Sequence, residues 1–346
     1  MTPARRLVVD LNSSAPTMAL PAWGLERLRA AAPADWEVVA VAAPTDSGGD
    51  GTTAASAEAL AAVAGAEAYF GYGLPASLVA AAPQLRWAHS ASAGVGASIT
   101  PALLAAGLVF TNSAGVYAEA MADTVLAGVL YFVRGLDHAV HQQRAGVWDA
   151  RPFRTPPFAV REVAGLRVLV VGAGGIGRAV ASRLQALGAT CTGVRRRPGL
   201  GMPAGFARVV GPEGLEAELP AADVLVLAAP LTAASRGLLD ARRLALLPPG
   251  AIVVNVARGG LLDEGALLAA LEAGRLRGAA LDVFPVEPLP AGHALWAHPR
   301  VLVTPHVSGV SPAHHWSRAL DLFEDNWRRW VAGEPLRNVV DPVAGY

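Results

Sequence analysis

The sequence predicts an α/β protein of two successive parallel-sheet units. Three observations carry the prediction. Short apolar runs alternate with Ala-rich helical stretches through residues 7–111, the pattern of parallel βαβ units. A second alternation opens at Leu166, and its first strand leads directly into a glycine fingerprint at residues 172–177. A chain of 346 residues is long enough for two cores of this kind.

In the first part, residues 7–10, 38–41, 68–70, 85–88 and 108–111 read as strands, and 25–31, 55–64 and 101–106 as helices between them. Gly48-Gly49-Asp50-Gly51 reads as a polar loop, because no strand feeds it as a phosphate cradle requires. A long helix is expected over residues 118–144, ended by Gly146 and the Pro-rich segment 151–157. The second part then offers strands at 168–171, 190–194, 224–228, 252–256, 279–283 and 301–304. Gly188 and Gly274 fall where helix C-terminal caps belong. A last helix over 312–331 carries Trp316, Trp327 and Trp330, read as packing residues.

Composition excludes several chemistries. Twenty-eight basic and 28 acidic residues give zero formal charge, so no basic face for nucleic acid is expected. Every basic residue is Arg; without Lys there is no Schiff-base lysine, lysine general base or P-loop lysine. The single Cys191 rules out an intrachain disulfide framework and a multi-cysteine zinc site, and no metal is expected. Residues 7–9 are too short for a signal-peptide core, and the apolar run 124–133 falls short of the roughly 20 residues of a membrane span. The expectation is a soluble, cytoplasmic protein with no membrane partner.

The fingerprint Gly172-Ala173-Gly174-Gly175-Ile176-Gly177 has the strand before it and the helix 178–187 after it that a dinucleotide site requires. Gly172 permits the tight turn, Gly174 lets backbone approach the pyrophosphate, and Gly177 allows close helix–strand packing. The next strand runs into Arg195-Arg196-Arg197, and no Asp or Glu occurs between Gly177 and Glu213. A carboxylate there would favour NAD, whereas Arg pairs with a 2′-phosphate. NADP(H) is therefore expected over NAD(H), with Arg195 and Arg196 as phosphate ligands.

Arg258, Glu287 and His306 each follow a predicted strand, and ligands in open α/β sheets bind outside the carboxyl ends of strands. Arg258 offers a permanently charged planar fork for a carboxylate. His306 is suited to giving a proton to a developing alkoxide, with Glu287 holding its ring in one tautomer. Asp282, at the end of its strand, is expected to accept from a nicotinamide carboxamide, and Asp263 with Glu264 to cap the helix 265–273. A lone histidine is more often structural, which is the reading for His89, His138, His141, His314 and His315. His293 and His298 lie in a loop and follow no strand end.

The motifs GAGGIG, APLT at Ala229-Pro230-Leu231-Thr232, NVARGG, LDVFPVEPLP and TPHVSG together resemble the D-isomer-specific 2-hydroxyacid dehydrogenase family, through nearly the whole chain. The resemblance implies two Rossmann-like, doubly wound parallel-sheet domains separated by an active-site cleft. Residues 1–112 and a return helix in 308–346 would form the substrate domain, and residues 113–307 the NAD(P)-binding domain. Arg258, Glu287 and His306 take the family's catalytic positions. Ala229, Pro230, Val256, Ala257 and Gly309 fall in its cofactor-binding segments. Ala93-Gly94-Val95 falls on its substrate-carboxylate loop, a glycine-flanked segment whose amides could form an anion nest. The helix after Ser113 implies a homodimer interface. Members that use NAD carry an acidic residue where Arg195 stands, and the arginine pattern looks like the glyoxylate/hydroxypyruvate reductase branch. Trp148 resembles an aromatic that in that branch reaches a neighbouring subunit's site.

The leading expectation is NADPH-dependent reduction of a small 2-oxoacid to the D-2-hydroxy acid. Another reading is a nicotinamide-sensing, partner-binding corepressor with little turnover, which the family also contains. A formate dehydrogenase-like member would carry Gln at Glu287, and a zinc or Tyr/Lys alcohol dehydrogenase lacks its residues here.

Overall fold

The computed structural model describes residues 5–45, 51–52, 54–156 and 159–342. Gly48, Gly49 and Asp50 of the polar loop, and Pro157, lie outside the described residues. The chain forms two compact units, residues 1–117 with 311–346 and residues 118–310. Among the described residues no helix is long and apolar enough to cross a membrane.

The first unit runs β1 (Arg5–Asp10), α1 (Ala22–Ala31), β2 (Trp36–Ala40), α2 (Ala57–Val63), β3 (Ala68–Gly71), α3 (Ala76–Ala81), β4 (Trp87–Ser90), α4 (Pro101–Ala106) and β5 (Val109–Asn112). Among the described residues its strands make one parallel sheet in the order β2-β1-β3-β4-β5. Continuous apolar strands need both sheet faces covered. On β1, Leu7 and Val9 enter one core with Trp87 and Phe70, while Val8 enters the other with Tyr69 and Ala88. The first core is closed by the chain's last long helix, whose Trp316, Leu320, Phe323 and Trp327 recur at helical spacing and are all buried. Phe323 stacks on Phe70 at 4.0 Å and on Trp87 at 5.1 Å between ring centroids.

The second unit runs α5 (Ala118–Val133), α6 (Leu136–Ala145), β6 (Arg167–Val171), α7 (Gly175–Ala186), β7 (Thr190–Val194), β8 (Arg208–Val210), α8 (Leu215–Glu218), β9 (Val224–Leu227), α9 (Ala241–Leu246), β10 (Ala251–Asn255), α10 (Glu264–Glu272), β11 (Leu276–Leu281), α11 (Ala294–Ala297) and β12 (Val301–Val303). The closing helix of the first unit is α12 (His315–Ala332). The second sheet is parallel throughout, in the order β12-β11-β10-β9-β6-β7-β8. Strand order reverses between β6 and β9, which makes that point the ligand-binding crevice of a doubly wound sheet. Both units therefore have the Rossmann-like parallel architecture.

The expected helix over 118–144 is two helices. Gly135 takes a left-handed φ of +69° between α5 and α6, although the apolar pattern runs on through the break. A buried pair then ties α6 to the sheet, with Arg277 on β11 reaching both carboxylate oxygens of Asp137 at 2.7 and 2.6 Å. Two charges out of water need that complete bidentate pairing. Strand β8 and the short helices α3, α8, α9 and α11 have no counterpart in the sequence reading; each is too short to show a period of its own.

Candidate active site

Glycine geometry defines the crevice at β6. Gly172 has φ +107°, and a Cβ there would lie 2.5 Å from the Ala228 carbonyl oxygen. At Gly177 a Cβ would lie 2.0 Å from the Gly172 carbonyl oxygen, so both positions are closed to any side chain by the chain itself. Gly174 differs, because a Cβ there would meet nothing within 4 Å. It is also the N-cap of α7 and supplies no side-chain cap, so the amides of the first helical turn, from Gly175, Ile176 and Gly177, face outward at the dipole's positive end. Open backbone next to free amides fits a pyrophosphate. Ala229 and Pro230 follow β9 across the crevice. Ser235 Oγ fixes their turn by accepting the Thr232 amide at 2.7 Å and donating to the Pro230 carbonyl at 2.8 Å.

Of the arginines expected at a 2′-phosphate, Arg195 is also tied into the loop after β7. Its Nη2 donates to the Pro198 carbonyl at 3.1 Å and also to the Gly201 carbonyl, so it staples the loop after β7. Arg196 and Arg197 are exposed.

Strands β10, β11 and β12 are neighbours in the sheet, and Arg258, Glu287 and His306 follow them in that order. Glu287 Oε2 meets His306 Nδ1 at 2.7 Å, while its Oε1 accepts the Phe284 amide at 2.9 Å. Both side chains are 35% exposed, which leaves the pair open to a ligand. With Nδ1 donating to the carboxylate, Nε2 is the nitrogen left for chemistry.

Arg258 lies on a turn organised by Asn255, the buried last residue of β10. The Asn255 amide donates to the Arg258 carbonyl at 3.0 Å and its Oδ1 accepts the Ala257 amide at 3.1 Å. Val256 and Ala257 are buried beneath. The Arg258 Nη1 also donates to the Ala257 carbonyl at 2.7 Å. Gly259 packs so tightly that a Cβ would lie 1.9 Å from the Phe284 carbonyl carbon. The Arg258 turn thus abuts the segment that carries Glu287. Asn255 escaped the sequence reading, although an Asn closing an apolar strand is a polar exception in its place.

His306 has φ +53°, a left-handed conformation that costs a side-chain-bearing residue on the order of 1–2 kcal/mol. Its turn is held by Asp282, which is 2% exposed. The Asp282 carboxylate accepts Thr304 Oγ1 at 2.6 Å and the amides of Val307 and Ser308 at 2.9 Å each. Gly309 follows in the turn closed by the Val310 amide on the Val307 carbonyl at 2.9 Å. Thr304 was also missed, since nothing local marks it.

Among the other histidines, His89 is fully buried, with Nδ1 2.7 Å from Thr111 Oγ1, and burial depresses its pKa to about 3. His315 is buried and depressed to about 4 for the same reason. His293 caps α11 and lies 3.8 Å from Glu264, whose carboxyl burial pushes upward. Asp263 caps α10, accepting the Ala266 amide at 3.0 Å.

In the first unit, the loop after β4 is tied down through its carbonyls. Ala91 accepts from Tyr117 Oη at 2.9 Å, Ser92 from the Ser113 amide at 3.2 Å and Ala93 from Asn112 Nδ2 at 2.8 Å. The amides of Ala93, Gly94 and Val95 donate to no group among the described residues. A run of anchored carbonyls with free amides has the makings of an anion nest. Among the described residues no cluster of three or more His, Cys, Asp or Glu could hold a metal ion.

A switch-point glycine crevice with an Arg and a Glu–His pair on the same sheet edge is the arrangement of a dinucleotide-dependent oxidoreductase. The chain belongs to the D-isomer specific 2-hydroxyacid dehydrogenase family, matching the model of its NAD binding domain over residues 126–308. It is 36% identical over 230 residues to glyoxylate/hydroxypyruvate reductase A of Salmonella newport (strain SL254), across 65% of this chain and 69% of that one. Among solved structures, a D-isomer specific 2-hydroxyacid dehydrogenase from Xanthobacter autotrophicus Py2, in complex with NADPH and MES, is 34% identical with a TM-score of 0.79. That match covers 99% of this chain and 100% of the other. An NADPH-dependent glyoxylate/hydroxypyruvate reductase from Sinorhizobium meliloti, in complex with NADP and sulfate, is 27% identical with a TM-score of 0.77, covering 99% and 100%. The chain is accordingly an NAD(P)-dependent 2-hydroxyacid dehydrogenase acting as a 2-oxoacid reductase.

Proposed function

We propose that this enzyme reduces small 2-oxoacids of the glyoxylate and hydroxypyruvate type to the D-2-hydroxy acid. The observation that carries the reading is the 2.7 Å contact of His306 Nδ1 with Glu287, on the strand edge next to that of Arg258. The cofactor is NADP(H), with NAD(H) possible, in keeping with the arginines after β7 and with the relatives solved with NADPH and NADP. The crevice fits it, since Gly174 leaves open backbone where the phosphates must approach.

Amides of Gly175, Ile176 and Gly177 hold the pyrophosphate, and Ala229, Pro230, Val256, Ala257 and Gly309 line its surroundings. Arg196, with Arg197, takes the 2′-phosphate. When bound, the reduced nicotinamide supplies the hydride that goes to substrate C2. Arg258 holds the substrate carboxylate with its planar fork and polarises the neighbouring carbonyl, and the amides of Ala93, Gly94 and Val95 in the first unit form an anion nest suited to a carboxylate. His306 Nε2 gives its proton to the carbonyl oxygen as negative charge builds there. Glu287 fixes the tautomer and stabilises the imidazolium that carries that proton. The Phe284 amide on Glu287 Oε1 keeps the carboxylate from turning away.

We also propose a homodimer acting in the cytoplasm. The fully exposed Trp148, at 101% relative accessibility beside the exposed Val147, would be covered by the second subunit. Sedimentation of the parent and of Trp148→Ala tests this, and a monomeric parent removes the proposal.

Steady-state oxidation of NADPH and NADH, in parallel, with glyoxylate, hydroxypyruvate, pyruvate and a bulkier aliphatic 2-oxoacid tests the activity. Turnover is expected with NADPH and the small acids. Preference for NADH would overturn the arginine argument alone. Binding of both dinucleotides without turnover would overturn the substrate assignment.

A further inference from the structure

We infer that Asp282 and Thr304 are positioning residues that set the His306 imidazole by clamping the turn beneath it. The inference rests on the reading of His306 as proton donor. Three successive amides of this turn converge on one residue. The His306 amide donates to the Asp282 carbonyl at 2.9 Å, and the amides of Val307 and Ser308 donate to its two carboxylate oxygens at 2.9 Å each. Convergence of consecutive amides on an anion is the geometry of a nest, and it winds the backbone into the left-handed φ of +53° at His306. Asp282 itself directly follows β11, so the anchor is fixed by the sheet.

Thr304 completes the clamp. Its hydroxyl donates to Asp282 Oδ1 at 2.6 Å, and its amide is held by the Leu281 carbonyl at 3.0 Å. Among the described residues the hydroxyl is the one side-chain donor on the carboxylate, and it stops the carboxylate rotating about its last bond. His306 is then fixed twice, through its backbone by Asp282 and through its ring by Glu287. The carboxylate of Asp282 accepts three hydrogen bonds within the loop and is 2% exposed, so it is committed to holding this turn.

Proton transfer depends steeply on placement, so loosening this turn should fall on kcat far more than on dinucleotide affinity. Thr304→Val keeps the volume and removes the donor; Thr304→Ser keeps the donor. Turnover number, KM and NADPH dissociation constant are measured for both, beside His306→Ala. Thr304→Val is expected to lower kcat about tenfold or more, with NADPH affinity within about twofold of the parent, and Thr304→Ser to restore kcat. Parent-like kcat in Thr304→Val overturns the clamp. So does a joint fall of kcat, NADPH affinity and melting temperature that Thr304→Ser does not repair, because that marks a residue needed only for folding. The underlying reading fails separately: His306→Ala with parent-like turnover removes the proton donor itself.

Discussion

His89 and His306 both belong to the carboxyl edge of a parallel sheet, one in each unit, and their surroundings have nothing in common. His89 lies inside β4, fully buried, with Thr111 and Ser113 hydroxyls at 2.7 and 3.3 Å from its two ring nitrogens. Among the described residues no carboxylate touches it, and burial holds it neutral down to about pH 3. His306 stands three residues beyond β12, a third exposed, against a carboxylate at 2.7 Å. The comparison teaches that a strand-end histidine is fitted to carry a proton only when solvent access and a fixed anion come together. Without them the same ring is a polar plug between hydroxyls.

The sharpest way to break the comparison is to remove each ring. His306→Ala is expected to lower kcat by about 10²–10⁴, the usual share of a general acid, with NADPH affinity unchanged. His89→Ala is expected to lower stability while leaving kcat per folded molecule intact. Kinetics beside a thermal unfolding curve for each variant decides. A large kcat loss at His89 with normal stability would end the assignment of His89 to the core.

The next largest effect concerns the arginines. Arg196→Ser with Arg197→Ser should raise KM for NADPH about ten- to hundredfold, the worth of a charged hydrogen bond or two, and leave KM for NADH alone. Arg195→Ser should instead weaken both dinucleotides, because the loop it staples through Pro198 and Gly201 is released. Selective loss of NADPH on changing Arg195 alone would return it to the phosphate.

Acid should distinguish the units as well. His89 and His315 have folded pKa values depressed to about 3 and about 4, against an ordinary 6.5. Their contribution to stability is whole above pH 6.5 and is lost as pH falls towards those folded values, because only the unfolded chain takes up the protons. Each histidine costs about 1.4 kcal/mol per pH unit over that window. Denaturant midpoints between pH 7 and pH 5 should fall, and His89→Gln should flatten the slope. An unchanged slope in that variant would mean that His89 is already charged in the folded protein.

Much of this architecture could be read from the chain. Strands β6, β9 and β10 are buried on both faces, so they appear as uninterrupted apolar runs, and Arg258, Glu287 and His306 follow apolar runs directly. What escaped depended on where loops return. Asp282 meets Thr304, Val307 and Ser308 across separations of 22, 25 and 26 residues, and no local pattern encodes that meeting. Arg195 is held by the carbonyls of Pro198 and Gly201, two loop positions that no local pattern marks as its partners. The break at Gly135 was hidden because α6 resumes a helical pattern immediately after it, and an isolated glycine within a helical pattern does not by itself mark an end.

That break also gives the smallest and most exact comparison between the units. Gly107 ends α4 in the first unit at φ +65°, and Gly135 separates α5 from α6 in the second at φ +69°. A Cβ at Gly107 would meet nothing within 4 Å, whereas at Gly135 it would lie 2.9 Å from Phe153 Cδ1 and 3.0 Å from Val160 Cγ1. Gly107→Ala therefore adds left-handed backbone strain alone, about 1 kcal/mol. Gly135→Ala adds the same strain plus the displacement of an aromatic ring and a valine, so its cost should be larger by about 1 kcal/mol or more. Calorimetric melting of the two variants measures the difference directly, with kcat expected to stay at the parent value in both. Equal losses would show that Phe153 and Val160 yield freely, and that the turn between α5 and α6 is held by the glycine's backbone freedom and not by its packing.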